Sequence, residues 1–201
     1  MSTTEKITYK AKKFNLPELQ GISAETIKEH LGLYKGYVKN FNHIQKVIAG
    51  EVGDDTYQNK EAIRRQGFEF GGIRNHEIYF GSFEGGSAKL SSDSALAEKI
   101  NDQFGSYKKW EAGFKKWIAG MRGVGWAMMG YDQHTGNLVN YWVDEQHLGQ
   151  LPTVEPLVAL DMWEHSYCMD YAPSKKKQYI NAFFKNLNWD TVAKNYDQLV
   201  N

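Results

Sequence analysis

The sequence predicts an α+β protein, with an N-terminal helical hairpin domain followed by a C-terminal domain that holds a three-stranded antiparallel sheet and flanking helices. Helical periodicity prevails up to residue 121, three strand-like segments then follow one another, and helical periodicity returns at the end of the chain. Strands that run together, apart from the helices, are typical of this class. The 201 residues can form one medium domain or two small ones that share a core, and we expect domains at 1–88 and 89–201.

Two helices are predicted in the first half of the chain. Over 23–48 the apolar side chains recur every three or four residues, and Ser23 is a good N-terminal cap. The second helix is predicted over 61–83, where glycines cost helix stability and therefore indicate close packing against a neighbour. These glycines are Gly67, Gly71 and Gly72. The stretch 83–90 is the best candidate for a linker between the domains.

Two further helices precede the predicted sheet. The helix over 92–104 begins at Ser92 or Asp93, because both residue types cap helix N-termini well. The helix over 106–121 follows directly. Its cap is predicted at Ser106.

The sheet and the end of the chain complete the predicted fold. Strands are expected over 125–132, 136–145 and 156–163. Residues 132–136 have the length of a hairpin turn between the first two strands. The last segment, 174–200, returns to a helical pattern that is broken near the sequence LNWD.

Composition argues against several classes of function. Lysine plus arginine and aspartate plus glutamate each number 24, so the formal net charge is zero and a nucleic-acid partner is not expected. No apolar run reaches the ~18 residues that a membrane span needs, and the first residues lack the apolar segment of a signal peptide. Cys168 is the only cysteine, which excludes an intramolecular disulfide. We therefore expect a cytoplasmic protein.

Three ionisable residues lie next to an apolar run that is heading into the core. After LVAL (157–160) come Asp161, Glu164 and His165, and buried charges are costly unless they are paired. Asp161 and His165 are four residues apart and can converge on one point. His30, on the apolar stripe of the first helix, and His76, on the second, can complete a set of four ligands.

Three imidazoles and one carboxylate suit a first-row metal ion with room for one solvent ligand. Any one of these histidines alone is more often a hydrogen-bonded core residue than a ligand. The set of four favours the metal, and a bound cation would neutralise the buried carboxylate of Asp161.

The sequence DMWEHSY (161–167) resembles the signature Asp-x-Trp-Glu-His-Ala/Ser-Tyr of the iron/manganese superoxide dismutases. The resemblance extends over roughly residues 14–198. Matching segments are ISAETIKEHLG (22–32), YVKNFN (37–42), RNHEIYF (74–80), FGSYKKWEAGF (104–114), GVGWAMM (123–129) and NAFFKNLNWDTV (181–192). The family resemblance implies a helical hairpin followed by a three-stranded antiparallel sheet with helices, which agrees with the pattern of the residues.

The resemblance also implies the chemistry and the partners. It implies one manganese or iron ion per subunit, superoxide as the substrate, and a homodimer. The implied metal ligands are His30, His76, Asp161 and His165. Tyr37 matches the tyrosine at the mouth of the site, Trp126 and Trp163 match its aromatic wall, and Glu164 matches the residue that hydrogen-bonds a ligand histidine of the partner subunit.

The family places a glutamine or histidine near the metal-bound solvent from one of two positions. One lies four residues before the second ligand and is Gly72 here; the other lies on the loop between the second and third strands. Gln146 is the candidate on that loop, with His147 as the alternative. A small residue at 72 with Gln146 resembles manganese or cambialistic members more than iron ones.

The chain departs from the family pattern around the substrate funnel and the subunit interface. The first ligand helix is one residue shorter than usual, and Leu33 or Tyr34 stands where the family has a gateway histidine. Cys168 holds the position of the tyrosine that usually bridges to that histidine across the dimer. These departures leave a second hypothesis: a dismutase-like structural or interaction protein that keeps the fold and the metal without turnover.

Overall fold

The computed structural model describes residues 8–53 and 56–200, so residues 1–7, 54–55 and 201 lie outside the described part of the chain. In chain order the elements are α1 (Ala24–Ile48), α2 (Tyr57–Arg64), α3 (Gln66–Gly81), α4 (Ala95–Phe104), α5 (Tyr107–Gly120), β1 (Gly125–Asp132), β2 (Asn137–Asp144), β3 (Val154–Asp161), α6 (Lys176–Asn186) and α7 (Trp189–Val200). Two 3-10 turns, Glu164–Ser166 and Pro173–Lys175, lie between β3 and α6. The order confirms the α+β prediction.

The first helix begins where the sequence predicts. Ser23 is extended and its hydroxyl accepts a hydrogen bond from the amide of Thr26 at 3.1 Å, which satisfies one of the free donors at the helix start. The buried side of α1 contains His30 together with the apolar and aromatic side chains that pack on α3. The hydrophobic stripe therefore brings a histidine into the interior.

The prediction of a single helix over 61–83 is wrong. The chain forms α2 first, capped by the hydroxyl of Thr56, and turns at Arg65 before α3 begins. α2 contains no buried residue, whereas seven residues of α3 are buried against α1 and β3. The turn at Arg65 lets α3 align with its packing partners while α2 stays at the surface.

The sheet is antiparallel with strand order β2-β1-β3, so β1 lies in the centre. The predicted limits hold for β1, while β2 is one residue shorter at each end and β3 lies two residues earlier than predicted. The register in which β1 pairs with β3 shifts between Met129 and Gly130. In this register Trp126 is paired with Asp161, the last residue of β3, so both stand at the same end of the sheet.

The remaining helices cover the sheet. α4 is capped by Ser94, and not by Ser92 or Asp93, because the hydroxyl of Ser94 accepts from the amide of Ala97 at 3.2 Å. The predicted cap of α5 at Ser106 is confirmed by a 3.2 Å bond from the amide of Lys109. The predicted break in the last helical region is confirmed, since α6 ends at Asn186 and α7 begins at Trp189.

One continuous core joins the helices to the sheet. It contains aromatic side chains of α1, α3, α5 and α6 and the buried residues of all three strands. Among the described residues, no helix is long and apolar enough to cross a membrane.

Candidate metal centre

Four side chains from four elements converge between the helices and the sheet. His30 comes from α1, His76 from α3, Asp161 from the end of β3, and His165 from the 3-10 turn that follows. One ligand-type atom from each residue lies within 4.8 Å of the other three. His30, His76 and Asp161 are completely buried, and the side chain of His165 is 20% exposed. The spacing of four residues between Asp161 and His165 does bring them together.

Asp161 is the centre of the cluster. Its Oδ2 lies 3.0 Å from Nε2 of His30, 3.2 Å from Nε2 of His165 and 3.7 Å from Nε2 of His76. Its other oxygen, Oδ1, accepts a hydrogen bond from the backbone amide of Trp163 at 2.8 Å. One carboxylate oxygen therefore faces three imidazoles while the other oxygen is held by the backbone.

The tautomer of His76 is set by a helix carbonyl. Its Nδ1 lies 2.5 Å from the carbonyl oxygen of Gly72, which can only accept, so Nδ1 carries the hydrogen. The buried Nε2 then offers a lone pair and has no hydrogen-bond partner among the described residues. A buried acceptor without a donor is costly, and a metal ion in this position would satisfy it. The donor set and this unpartnered nitrogen both fit a metal ion.

The environment keeps the carboxylate of Asp161 charged and the imidazoles of His30 and His76 neutral. Burial alone would raise the pKa of Asp161, but His165 and the hydrogen bonds from His165 and His30 outweigh it and hold the pKa below its usual range. Burial lowers the pKa of His76 to about 3, with repulsion from His30 adding to the effect. Burial also lowers the pKa of His30. Neutral imidazoles and an ionised carboxylate are the forms that bind metals.

Gln146 lies beside the cluster and is fully buried. Its Nε2 donates a hydrogen bond to the hydroxyl of Tyr37 at 2.9 Å, and its Oε1 accepts one from Nε1 of Trp126 at 2.9 Å. The ring of Trp126 meets the edge of His76 with centroids 5.0 Å apart. Burial raises the pKa of Tyr37 well above its ordinary value, so its hydroxyl stays protonated.

The alternative residue on this loop points elsewhere. His147 packs edge-on against Phe68 with ring centroids 5.8 Å apart and lines a groove of about 830 Å³ along α3. The amide of Gln146, and not the ring of His147, therefore contacts the tyrosine.

Glycines on α3 allow the loop and the tyrosine to approach. A Cβ on Gly71 would overlap the backbone carbonyl of Gln146, and a Cβ on Gly72 would overlap the ring of Tyr37. The close packing expected from the glycines is thus observed at Gly71 and Gly72. At Gly67 it is not, because a Cβ there would make only an ordinary van der Waals contact with the ring of His147.

Two polar residues that the sequence did not single out hold the loop in place. Asn75 donates a hydrogen bond from Nδ2 to the backbone carbonyl of Gln146 at 3.0 Å. Gln150 in turn donates to Oδ1 of Asn75 at 3.2 Å. The position of Asn75, directly before His76, was the available signal, since it places the amide on the ligand helix.

Trp163 forms one wall of the site. Its ring stacks on His165 with centroids 5.8 Å apart, and its Nε1 donates to the backbone carbonyl of Glu145 at 2.9 Å. The indole therefore links the 3-10 turn that holds His165 to the loop that holds Gln146.

Leu33, Tyr34 and Cys168, which stand where the family has its gateway histidine and the bridging tyrosine, lie in different environments. Tyr34 is completely buried and stacks on His76, with ring centroids 6.3 Å apart. Its hydroxyl donates a hydrogen bond to Glu77 at 3.1 Å. Leu33, in contrast, is 43% exposed. Cys168 is exposed on the surface. Glu164 is also exposed, and its carboxylate makes no hydrogen bond or ion pair within residues 8–53 and 56–200.

Comparisons with known proteins agree with this geometry. A family model described as iron/manganese superoxide dismutases, C-terminal domain, matches residues 92–195. The chain is 36% identical over 188 residues to an iron superoxide dismutase of Aquifex pyrophilus, covering 90% of this chain and 86% of that protein. It is 35% identical over 174 residues to manganese superoxide dismutase 2 of Haloferax volcanii, covering 83% and 82%. An iron superoxide dismutase of Saccharolobus solfataricus is 29% identical over 197 residues, covering 91% and 93%.

Proposed function

The chain belongs to the family of iron/manganese superoxide dismutases, and from that premise we propose that it converts superoxide into dioxygen and hydrogen peroxide. The observation that carries the proposal is the convergence of three imidazoles and one carboxylate within 4.8 Å, with a buried imidazole nitrogen that has no partner among the described residues. A non-catalytic relative has no comparable support, because every ligand-type residue of the set is present.

The proposed ligands of the metal are His30, His76, Asp161 and His165. A manganese or iron ion held by these four residues would supply one-electron redox chemistry. The carboxylate of Asp161 offsets part of that charge, and the Gly72 carbonyl keeps Nε2 of His76 free to bind.

The proposed catalytic side chains are Tyr37 and Gln146. Each full cycle consumes two protons, which must reach a buried site from solvent. Because Gln146 donates its amide hydrogen to the oxygen of Tyr37, the hydroxyl hydrogen of Tyr37 remains available to the site. Trp126 holds the other end of the Gln146 amide and so fixes which of its atoms faces the tyrosine.

Both metals are proposed to bind, with manganese slightly favoured. The support is the small residue Gly72 on the ligand helix combined with Gln146 on the loop. The printed names of the similar proteins include iron and manganese enzymes and so do not decide between the two metals. Turnover compared after loading with each metal measures the preference, and equal or higher turnover with iron would contradict it.

A homodimer is the proposed assembly. Glu164 is exposed beside His165, whose side chain is partly exposed, so a partner subunit can reach both. Reciprocal hydrogen bonds between Glu164 and the partner's ligand histidine would then link assembly to the metal site. We also propose the division into domains at 1–88 and 89–201, supported by the connection between the end of α3 at Gly81 and the start of α4 at Ala95, in which this boundary lies.

A cytoplasmic location is proposed on the basis of the single cysteine. Fractionation of the source cells with a specific antibody tests it, and recovery of the protein outside the cytoplasmic fraction would overturn it.

The function is tested by metal loading. The purified protein is stripped of metal, reloaded with manganese or iron, analysed for metal content, and assayed for superoxide decay. About one ion per subunit and metal-dependent decay are expected. A fully loaded protein without activity would support the non-catalytic alternative and overturn the proposal.

The ligand assignment is tested by His76→Ala. Loss of one imidazole should lower metal occupancy strongly, because the remaining ligands compensate a buried cation less well. Full occupancy of this variant in unchanged coordination would refute the assignment. His43→Ala, a histidine on α1 outside the cluster, is the matched control.

A further inference from the structure

The mouth of the site is lined by three partly exposed aromatic side chains. Phe68 lies between the other two, with its ring centroid 5.9 Å from that of Tyr37 and 6.4 Å from that of Trp163. Trp163 stacks on His165, the ligand-type residue that keeps some solvent exposure. Phe68 therefore lies where solvent gains access to the cluster.

Carboxylates stand close to this entrance. Glu145 directly precedes Gln146 and is 42% exposed at its side chain, and its backbone carbonyl holds Trp163. Glu69 follows Phe68 on α3, and its charge acts on Tyr37. An anion that approaches between the aromatic rings meets repulsion from both carboxylates unless a cation compensates them.

Arg65 supplies that cation at the break between α2 and α3. Its guanidinium carbon lies 3.7 Å from the centroid of the Phe68 ring, a cation–π arrangement that holds the group over the mouth. Its Nη1 lies 3.3 Å from Oε2 of Glu145, and its side chain is one third exposed. The charge of Arg65 also opposes the action of Asp161 and Glu69 on Tyr37.

Arg65 and Phe68 meet at the start of α3. They are three residues apart, with Arg65 directly before the first residue of the helix, so their side chains lie on one face. Glu145, with a φ of 51°, contacts Arg65 from the loop after β2.

We propose that Arg65 attracts the superoxide anion to the mouth of the site, with Phe68 and Glu145 holding its guanidinium in position. The inference rests on the proposed function and adds a residue that neither binds the metal nor transfers a proton. Arg65 pairs with the carboxylate of Glu145, and one third of its side chain is exposed, so an incoming small anion can reach its charge.

Arg64 is a matched control in the same segment. It is also paired with a glutamate, since its Nε lies 2.7 Å from Oε2 of Glu61, but its side chain is 64% exposed on α2. Arg64→Gln removes the same charge as Arg65→Gln and is expected to leave anion binding unchanged.

The test is a charge series at one position. Arg65→Lys, Arg65→Gln and Arg65→Glu are loaded with the same metal and matched for metal content and melting temperature. Azide affinity is measured by absorbance titration, and the rate of superoxide decay is measured at low and high ionic strength. Azide serves as a small anion whose binding requires no turnover.

The affinity for azide and the rate of superoxide decay at low ionic strength should both fall from Arg65→Lys to Arg65→Gln to Arg65→Glu. One unit charge at about 8 Å in water corresponds to a loss of about 2.5-fold for Arg65→Gln, and the reversed charge of Arg65→Glu to about sixfold. The dependence of the rate on salt should weaken in the same order.

The inference would be overturned if Arg65→Gln and Arg64→Gln had equal azide affinities and equal rates of superoxide decay. It would also be overturned if the losses in the Arg65 series did not follow the charge at position 65. An azide affinity that follows the series in a loaded protein without superoxide decay would overturn the proposed function and retain Arg65 as an anion guide. Normal superoxide decay without any charge dependence would overturn the role of Arg65 alone. A chain that binds no metal would overturn both.

Discussion

At the scale of single residues, Gln146 joins the candidate metal centre to the rest of the protein. Its side chain contacts Tyr37 and Trp126, and its backbone carbonyl accepts from Asn75. Through these bonds the ligand helix α3, the central strand β1 and the loop after β2 share one polar network. An amide beside metal-bound solvent would favour one protonation state of that solvent and so influence the potential of the metal.

We expect Gln146→Ala to retain the metal but to lower turnover by about 10–100-fold, the size typical of lost contacts just outside the ligands. The resting oxidation state should change as well, which visible absorption reports. His147→Ala is the control, because that ring faces the groove beside Phe68. If His147→Ala is the impaired variant and Gln146→Ala is not, the assignment on this loop is wrong by one residue.

Gly71 determines how closely the loop approaches α3. Because a Cβ at this position would overlap the Gln146 carbonyl, Gly71→Ala forces two backbones apart. We expect a loss of about 1–3 kcal/mol in the free energy of unfolding, as for other overpacked sites. Denaturant unfolding of the metal-free protein measures it, so that metal affinity does not contribute.

Gly113→Ala provides the opposite expectation. Gly113 lies inside α5, and a Cβ there meets no atom within 4 Å among the described residues. Helix propensity then predicts a gain of up to about 1 kcal/mol. Similar losses in both glycine variants would show that close contact at Gly71 is not the cause.

At the scale of the elements, helix caps decide boundaries that hydrophobic periodicity leaves open. Ser94 both accepts from the amide of Ala97 and donates to the carbonyl of Ser91 at 2.8 Å, so it closes the turn that leads into α4. Ser92 bonds the side chain of Asp93 and contacts no helix amide. Ser92, Asp93 and Ser94 all belong to residue types that cap helices well, but it is Ser94 that accepts the hydrogen bond from an amide of α4.

Ser94→Ala should lower the free energy of unfolding by about 1 kcal/mol, the usual cost of a lost cap. Ser92→Ala should change it by less than about 0.5 kcal/mol, as expected of a surface position. Thermal and denaturant unfolding of both variants measures the difference. A larger loss for Ser92→Ala would place the start of α4 two residues earlier.

The outer edge of β2 is covered by a side chain. The amide of Gln103 on α4 accepts from the backbone amide of Leu138 at 2.8 Å and donates to its carbonyl at 2.5 Å. A glutamine thus pairs with β2 as a neighbouring strand would. This contact satisfies backbone groups at an edge that otherwise invites pairing with another chain.

At the scale of the whole molecule, the exposed Glu164 is the residue through which we expect assembly to act on the candidate metal centre. It stands one residue before His165 on a turn that is anchored by the Ser166 hydroxyl, which donates to the carbonyl of Asp161 at 3.0 Å. A partner subunit that engages this turn would therefore act on the geometry of Asp161 and His165. The loss of the usual bridge at Tyr34 and Cys168 leaves Glu164 as the main expected contact.

We expect Glu164→Ala to weaken both the dimer and the activity, because in the proposed dimer this carboxylate would hydrogen-bond a ligand histidine of the partner. Light scattering at micromolar concentration measures the assembly, and superoxide decay of the loaded protein measures the activity. Glu111→Ala, whose carboxylate pairs with Lys115 within α5, is a control for the loss of one charge. A wild-type protein that is monomeric at this concentration and fully active would refute the proposed coupling.

The sequence by itself determined the α+β class, the succession of helices, three strands and helices, and the four residues that converge at the candidate metal centre. Helix and strand patterns are local, so most elements began and ended within two residues of their predicted limits. The ligand set was recognisable because an aspartate and a histidine four residues apart follow an apolar run, and because this stretch carries a family signature.

Only the tertiary structure decided where the second helix breaks, which serine caps α4 and which loop side chain faces Tyr37. The helix break and the loop depend on contacts between residues far apart in the chain: Gly71 with the Gln146 carbonyl, Asn75 with the same carbonyl, and Arg65 with Glu145. The cap of α4 depends on local contacts of Ser94 with Ala97 and Ser91. Local propensity is nearly the same for the alternatives, so it cannot choose between them. Long-range packing chooses, because burying the wrong side chain would leave polar groups without partners or force atoms to overlap.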